Sequence, residues 1–531
     1  MNSSSREKGV IEVKQKSSRF TGSSSGVYFL DVVSQAMALS DISGILDGDE
    51  RVVRRGMDTF GEISEMSDSF DSLQKISLAY FRYFHPLMPV INGVEFLSNL
   101  HELARGANLP APQTCIVRGV VSIGWLMNSV AAESQEVSSV LQQRPQMMFN
   151  SCDSAVREAV ELSFSLDSNN LPTLQALIVI VFYLFESMAL RRAYELCGLV
   201  RTKIFSAGLH RCPHRYNQFS EADCLERKRV FWGAYAIDRV LSQLLGLPSN
   251  YADSDIDVCK LAEEHHRGGD DLPTPNVSFG TDIENPSIYI SRAFAEYASL
   301  CGRATEIFNK SLHVRAIDKT EVLLLRTHID AWWNSLPDED SYDDKCFFTV
   351  CYCNLRFLID RPGISLDPQS VEYRYSIQTC IDTSRKLITS MAEQARRDQN
   401  TSQHHFFWPA HLSLVWLAGL LLLYASKNGY YPQSKAEKDV SLSIELISSM
   451  SQWPLAKSCA TVLDLARKTT YDETQFNNIG IPLGILTSSE PRMATDEFSM
   501  SFFTDGRNDY GAFDLFKTDW NIHLQDETDR M

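Results

Sequence analysis

The chain has no cysteine before Cys115, and its twelve cysteines are scattered from there to Cys459 without a regular spacing. Thiols placed in this way in a long chain are typical of reduced side chains in a core. A zinc site needs thiolates or histidines at short, fixed spacings. Two short groups lack such a spacing and are interpreted as structural: Cys346, Cys351 and Cys353, and His210, Cys212 and His214. No metal or cofactor site is therefore predicted within this chain.

An excess of positive charge is also missing, since the net charge is −17 and the isoelectric point is about 5.2. This balance argues against a surface that is basic throughout, and a nucleic-acid footprint needs clustered Lys and Arg. Any contact with nucleic acid should therefore be local or made by a partner. The polar, Ser-rich start from Met1 to Gly26 does not have the pattern of a secretory signal, and it predicts an intracellular protein.

Long hydrophobic runs are absent as well. The two most apolar stretches are Leu174–Leu190, which contains Gln175 and Glu186, and Leu412–Tyr424. Each is too short or too polar to cross about 30 Å of hydrocarbon. Both are predicted to be buried helices, and no membrane contact is expected.

Helical periodicity of the apolar residues runs through most of the chain, whereas no comparable alternating run from Val27 onward indicates a strand. The fold class predicted is all-α: a large multi-helix domain, with two helical lobes as one option and with disordered termini. The predicted helices are a first one around Leu73–Phe84, then Gln113–Met127, Ser154–Ser165, Thr173–Ser187, Ala189–Ala207, Glu221–Leu245, Ile288–Lys310, Lys319–Ser335, Cys346–Asp360, Tyr373–Ala395, Pro409–Ala425, Ala436–Met450 and Ala456–Thr469.

Three segments are expected along the chain: a Ser-rich flexible lead-in over 1–26, a helical domain over 27–470 and a tail over 471–531. The loop Cys259–Asn276 is a candidate divider between two lobes. From Glu490 onward ten acidic residues accompany four basic ones, with large aromatic residues between them. This composition is typical of a disordered activation segment. The candidate activation residues are Phe502, Phe503, Phe513, Phe516 and Trp520.

The stretch Glu221–Asn250 begins with a basic triplet, Arg227-Lys228-Arg229, beside two aromatic residues. Ser220 and Asp223 fit the start of a helix, and Gly246 and Pro248 fit its end. Nearby acids balance the triplet, which predicts an ion-pairing and partly buried face rather than a grip on DNA. Within this helix, Asp238 is expected to need a charged partner.

"AYELCGLVRTKIFSAGLHR" (Ala193–Arg211) followed by "RKRVFWGAYAIDRVLSQLLGLPSNYADSDIDV" (Arg227–Val258) resembles the signature of the fungal-specific transcription factor regulatory domain. That domain is the middle homology region of binuclear zinc cluster (Zn2Cys6) regulators. The resemblance covers roughly residues 19–470, and Leu247 departs from it where an Arg is common. Its signature residues, expected to be structural, are Gly208, Leu209, His210, Arg229, Phe231, Trp232, Asp238, Arg239, Gly246 and Pro248.

The resemblance implies a nuclear transcription regulator that controls a metabolic or secondary-metabolite gene set. Relatives usually carry an N-terminal cluster of six cysteines that binds two zinc ions and places a helix in the DNA major groove, and this chain lacks it. Three explanations stay open: a diverged or truncated product, a co-regulator that binds a complete regulator, and an error in the gene model. Zinc is expected only with such a cluster.

Partners implied by the resemblance are DNA, reached indirectly or through the missing cluster, and the transcription machinery or co-regulators. A homodimer and a partner transcription factor both stay open, as does a small metabolite bound between helices. No enzymatic activity is predicted. A helical scaffold remains an alternative, and a terpene cyclase is disfavoured because Glu339, Asp340 and Asp343 crowd a loop after Pro337 and lack a second metal motif.

Overall fold

The computed structural model describes residues 10–14, 17–21, 69–129, 145–165, 168–261, 286–308, 319–336, 342–365, 368–401, 408–451 and 453–471. Fourteen α-helices account for most of these residues, so the all-α prediction is confirmed. They are α1 Phe70–Tyr83, α2 Gly93–Ala104, α3 Ala111–Ser129, α4 Cys152–Ser163, α5 Leu171–Glu186, α6 Leu190–Ser206, α7 Glu221–Leu245, α8 Pro286–Phe308, α9 Lys319–Ser335, α10 Tyr342–Asp360, α11 Val371–Thr401, α12 Pro409–Lys427, α13 Gln433–Ser449 and α14 Pro454–Tyr471.

A short antiparallel hairpin lies inside the Ser-rich segment for which the sequence predicts no folded element. Its strands are β1 (Val10–Lys14) and β2 (Ser17–Thr21), with Val10 opposite Thr21 and Lys14 opposite Ser17. β-Branched residues such as Val10, Ile11 and Val13 favour a strand. The rest of the predicted lead-in and the whole tail from residue 472 lie outside the described residues.

The described helices fall into two compact units. The first holds residues from Ser69 to Gly302 except Leu244–Leu247. In it, α5 packs against α3, α4 and α6, and every residue from Thr173 to Glu186 is buried. Asn170 starts this helix, because its side-chain oxygen accepts a hydrogen bond from the Thr173 amide at 2.9 Å. The apolar run of the sequence is thus a core helix.

The second unit holds Leu244–Leu247 and the chain from Arg303 onward, together with the hairpin. Its apolar helix is α12, which packs against α11, α13 and α14. Among the described residues, α12 alone is long and apolar enough to cross a membrane, and 83% of its most apolar stretch is buried. The prediction of a buried helix over Leu412–Tyr424 is therefore confirmed.

All thirteen predicted helical stretches have a counterpart in the structure, but α2 was missed. Asn92 caps it by accepting hydrogen bonds from the amides of Val94 and Glu95. The Pro-rich turn and the Gly at its first position conceal this helix in the sequence. Most of the loop Cys259–Asn276, the candidate divider between two lobes, lies outside the described residues; the two compact units separate between Gly302 and Arg303, within α8.

Glu186, the last residue of α5, gives the first unit a pH dependence. Burial raises the pKa of this carboxyl to about 8 from an ordinary 4.5. Between these values the folded chain keeps a proton that the unfolded chain has lost, so stability falls as pH rises, by up to about 1.4 kcal/mol per pH unit. We expect Glu186→Gln to flatten the fall in unfolding free energy between pH 6.5 and 8.

Urea unfolding at several pH values measures this effect. The window starts at pH 6.5 because of His85. Burial, followed by the charge of Arg229, lowers the pKa of His85 from 6.5 to about 4. Between pH 4 and 6.5 this histidine makes stability rise with pH, which is opposite to the effect of Glu186. Glu195→Gln, at an exposed position of α6, is the matched control and should parallel the wild type. A Glu186→Gln curve that also parallels the wild type would refute the assignment.

Candidate functional site

The helix α7 carries the signature, and its ends are fixed as the sequence predicts. The Ser220 hydroxyl oxygen accepts a hydrogen bond from the Asp223 amide at 3.2 Å, and the Asp223 carboxylate accepts one from the Ser220 amide at 3.1 Å. This reciprocal pair satisfies donors that a helix start leaves open. At the other end, Gly246 has a backbone φ of 64°, a conformation that glycine adopts at little cost.

The basic triplet at the start of α7 is partly buried. Arg227 donates a hydrogen bond to the carbonyl of Ala207, the residue that ends α6, at 2.8 Å, and its guanidinium lies 4.3 Å from the Phe219 ring centre. The side chain of Lys228 is 4% exposed. Burial lowers the pKa of Arg227 and of Arg229. Arg227 thus caps the end of the neighbouring helix α6 rather than pairing only with acidic residues of its own helix.

The aromatic residues of α7 form part of a core, as the sequence predicts. Phe231 is fully buried and Trp232 nearly so. Their rings meet edge to face at 5.2 Å, and Trp232 and Tyr235 do the same at 5.2 Å. The Trp232 indole N–H donates to the carbonyl of Cys259 at 3.0 Å. These rings therefore have packing partners and are not a platform for stacked bases.

Asp238 lies in the middle of α7 with no solvent exposure. Its carboxylate accepts hydrogen bonds from the Asn250 backbone amide at 3.0 Å, from the Asn250 side-chain amide at 2.6 Å and from the Ser249 hydroxyl at 3.2 Å. Burial raises its pKa, while the Asn250 bonds and the charge of Arg239 act in the opposite direction. The expectation of a charged partner is corrected: the direct contacts are neutral donors from the turn that follows the helix.

Arg239 extends the same network to the end of that turn. Its guanidinium donates to the Asp253 carboxylate at 2.5 Å and to the Tyr251 carbonyl at 3.1 Å, and the Tyr235 hydroxyl donates to the same carboxylate at 2.8 Å. A Cβ atom at Gly302 would lie 2.5 Å from Arg239 Nη1. Any larger residue at this position would therefore displace the guanidinium from its present place.

The Gly208-Leu209-His210 turn closes α6. Gly208 has a φ of 70°, and the Leu209 amide donates back to the Ile204 carbonyl at 3.0 Å. The segment that follows is joined to residues 256–259 by Asp257, whose carboxylate accepts from the Cys212 amide at 2.8 Å. The Asp257 amide in turn donates to the His210 carbonyl at 3.2 Å. The two segments therefore run side by side.

Pro248 is also tied to α6, because its carbonyl accepts a hydrogen bond from the Tyr194 hydroxyl at 2.7 Å. The signature residues thus become one bonded framework around α7. In the part of the chain that the structure describes, no group of three or more His, Cys, Asp or Glu side chains is placed to hold a metal ion. The candidate activation residues Phe502, Phe503, Phe513, Phe516 and Trp520 lie outside the described residues.

Sequence reasoning missed four residues of this framework: Ser249, Asn250, Asp253 and Gly302. Ser and Asn commonly follow a turn and bond to nearby backbone, so their position after Gly-Leu-Pro was an available signal for the first two. Nothing local in the sequence indicates that Gly302, 63 positions after Arg239, contacts its guanidinium. The donors and acceptors of the cluster bond to one another, so the arrangement holds the fold together.

Comparison with known proteins agrees with this framework. The family model described as "Fungal specific transcription factor domain" matches residues 78–333. The probable transcription factor FUP6 of Fusarium proliferatum is 30% identical over 87% of this chain and 77% of its own length. No solved structure matches the chain.

Two further relatives are more distant. A putative transcriptional regulatory protein of Saccharomyces cerevisiae is 21% identical over 70% of this chain and 52% of its own length. The transcriptional activator protein acu-15 of Neurospora crassa is 23% identical over 68% of this chain and 38% of its own length. The chain therefore spans about half or less of these two relatives. It belongs to the family of fungal transcription factors with the fungal-specific transcription factor domain.

The Asp238 network gives a test of the framework. Asp238→Ala leaves the backbone and side-chain amides of the half-buried Asn250 without their acceptor, at a cost of roughly 1–3 kcal/mol for each group, whereas the Ser249 hydroxyl keeps its bond to the Tyr251 carbonyl. We expect the unfolding free energy to fall by about 3 kcal/mol. Asp238→Asn keeps an acceptor oxygen in place and should cost less.

Chemical denaturation of the variants in parallel measures these costs. Asp255→Ala, at an exposed position of the same turn region, is the control and should change stability by no more than about 0.5 kcal/mol. An Asp238→Ala protein as stable as this control would contradict the role given to the carboxylate.

Proposed function

We propose that the chain is a nuclear transcription regulator of the fungal zinc cluster type, acting on a metabolic or secondary-metabolite gene set. The helical region from about Val27 to Thr470 would serve as its regulatory domain, which receives a signal or a protein partner. The observation that carries this proposal is the burial of the signature helix within a bonded framework, in a chain of the fungal transcription factor family. The framework supports a regulatory scaffold and leaves the reading of DNA to another part.

DNA would be reached through a zinc cluster or a partner transcription factor. The net charge of −17 and the partly buried basic triplet, whose Arg227 already bonds to α6, both oppose a phosphate contact by α7 itself. The residues present do not fit a zinc cluster, since the first cysteine is Cys115 and the described residues contain no metal-binding group. Zinc would therefore belong to a cluster supplied from outside this sequence. A homodimer would place two such DNA-reading parts on a paired site.

The tail from about Glu490 would recruit the transcription machinery or a co-regulator. Its composition supports this role, because acidic residues interleaved with large aromatic ones are typical of segments that bind an apolar groove on a partner. The binding energy would come mainly from the aromatic residues, as in other interfaces where a few large side chains dominate. The acids would favour encounter with a basic rim around such a groove.

A reporter experiment tests the tail within the full chain. The chain is fused to an unrelated DNA-binding domain, and Phe502, Phe503, Phe513, Phe516 and Trp520 are changed together to Ala. We expect reporter activity to fall to the background of the DNA-binding domain alone, because the apolar anchors are lost while the acids remain.

The matched control changes Ser499, Ser501, Thr504, Thr518 and Thr528 to Ala in the same tail. This control should keep full reporter activity, and immunoblotting must show equal amounts of all fusions. Undiminished activity of the aromatic variant at equal protein level would sink the proposed activation role.

A further inference from the structure

Two thiols meet beside the signature helix. The Sγ atoms of Cys212 and Cys259 are 3.6 Å apart, although the residues are 47 positions apart in the chain. A disulfide bond needs the sulfurs at about 2.0 Å, a distance that small side-chain rotations can reach when the two backbones already lie close together. Whether a disulfide bond can form therefore depends on how firmly the surrounding backbone holds the two cysteines in place.

Backbone hydrogen bonds on both sides of the thiols fix these segments. The Asp257 carboxylate accepts from the Cys212 amide at 2.8 Å, and it also accepts from the Arg215 guanidinium at 3.0 Å. The carbonyl of Cys259 accepts from the indole of Trp232 on α7 at 3.0 Å. Cys212 and Cys259 are thus each bonded through their own backbone to a neighbouring element. This preorganisation favours a bond between the two side chains over one with a distant thiol.

The two thiols differ in their access to solvent. Cys212 is fully buried, whereas Cys259 is partly exposed. Of the other ten cysteines, nine are buried, and only Cys346 is partly exposed. The Cys346 thiol donates to the carbonyl of Ser390 at 3.7 Å. An oxidant in solution can therefore reach Cys259, while the thiol of Cys212 lies in contact with it but is shielded from solvent. This is the arrangement of an oxidisable cysteine beside a resolving cysteine.

We propose that Cys212 and Cys259 are a modification site at which a hydroperoxide forms a reversible disulfide bond. With hydrogen peroxide, the Cys259 thiolate attacks one oxygen, the O–O bond breaks, and the leaving hydroxide takes up the proton that the thiol released, so that a sulfenic acid and one water are produced. The Cys212 sulfur then attacks the sulfenic sulfur, the S–O bond breaks, and the hydroxide leaves with the Cys212 proton as a second water. Two thiols are oxidised and one peroxide is reduced. A small thiol reductant reverses the reaction.

The bond closes a loop that contains the whole of α7 and the turn bonded to Asp238. A cross-link of this kind restricts the unfolded chain more than the folded chain, whose segments already lie together. The oxidised protein should consequently unfold at a higher temperature than the reduced one, by about 5 °C or more. Oxidation would thereby lock the framework of the signature helix.

Peptide mapping of the full-length chain tests the site directly. The chain is treated with hydrogen peroxide, free thiols are alkylated, and the protein is digested without reduction and analysed by mass spectrometry. We expect a cross-linked peptide pair joining Cys212 to Cys259, with the mass of two hydrogen atoms lost, which dithiothreitol separates. Cys346→Ser, which removes the other partly exposed thiol, should leave this pair unchanged.

Cys259→Ser should abolish the pair and the rise in Tm on peroxide treatment, and circular dichroism must show that the variant is folded. The wild-type map decides the question even if that variant does not fold. Recovery of Cys212 and Cys259 as alkylated thiols, while Cys346 is oxidised, would overturn the proposal. A cross-link from Cys259 to the buried Cys224 in place of Cys212 would overturn it as well.

Discussion

The fully buried carboxylate of Asp238 joins the signature helix to the turn that follows it. A charge in this position is tolerated only because three donors from Ser249 and Asn250 surround it. The next residue, Arg239, continues the network to Asp253 and to the backbone of Tyr251. Two neighbouring residues of α7 thus fix four residues of the following loop, and one of these, Tyr251, packs its ring against that of Tyr235.

The signature residues identify the family, but their role in the molecule depends on where their side chains lie. A basic triplet next to aromatic residues has the composition of a nucleic-acid contact, but composition does not show whether these side chains face solvent or the protein interior. Here Arg227 closes the end of α6 and Lys228 is almost fully buried. A contact of Arg227 with DNA would break its bond to α6, and a contact of Lys228 would require its buried side chain to leave the protein. The signature marks a scaffold, which agrees with a regulatory rather than a DNA-reading part.

Local patterns in the sequence predicted much of the fold. Helical periodicity and the Ser220–Asp223 pair located α7, because both signals act within one or two turns of helix. The helix α2 was missed because it follows a Pro-rich turn and begins with a glycine. The partners of Asp238 were misjudged, and Gly302 was missed, because contacts between distant segments depend on packing that no local pattern encodes. The tail residues remain a prediction.

Hydrogen exchange of the free chain, read by mass spectrometry with and without duplex DNA, tests the buried-framework assignment most directly. Amides of α7 and the Asn250 amide that bonds to Asp238 should exchange slowly in the free chain, and DNA should not change their rates. Rapid exchange over residues 221–250 in the free chain, slowed when DNA is added, would contradict the assignment and would restore the signature helix as a nucleic-acid contact.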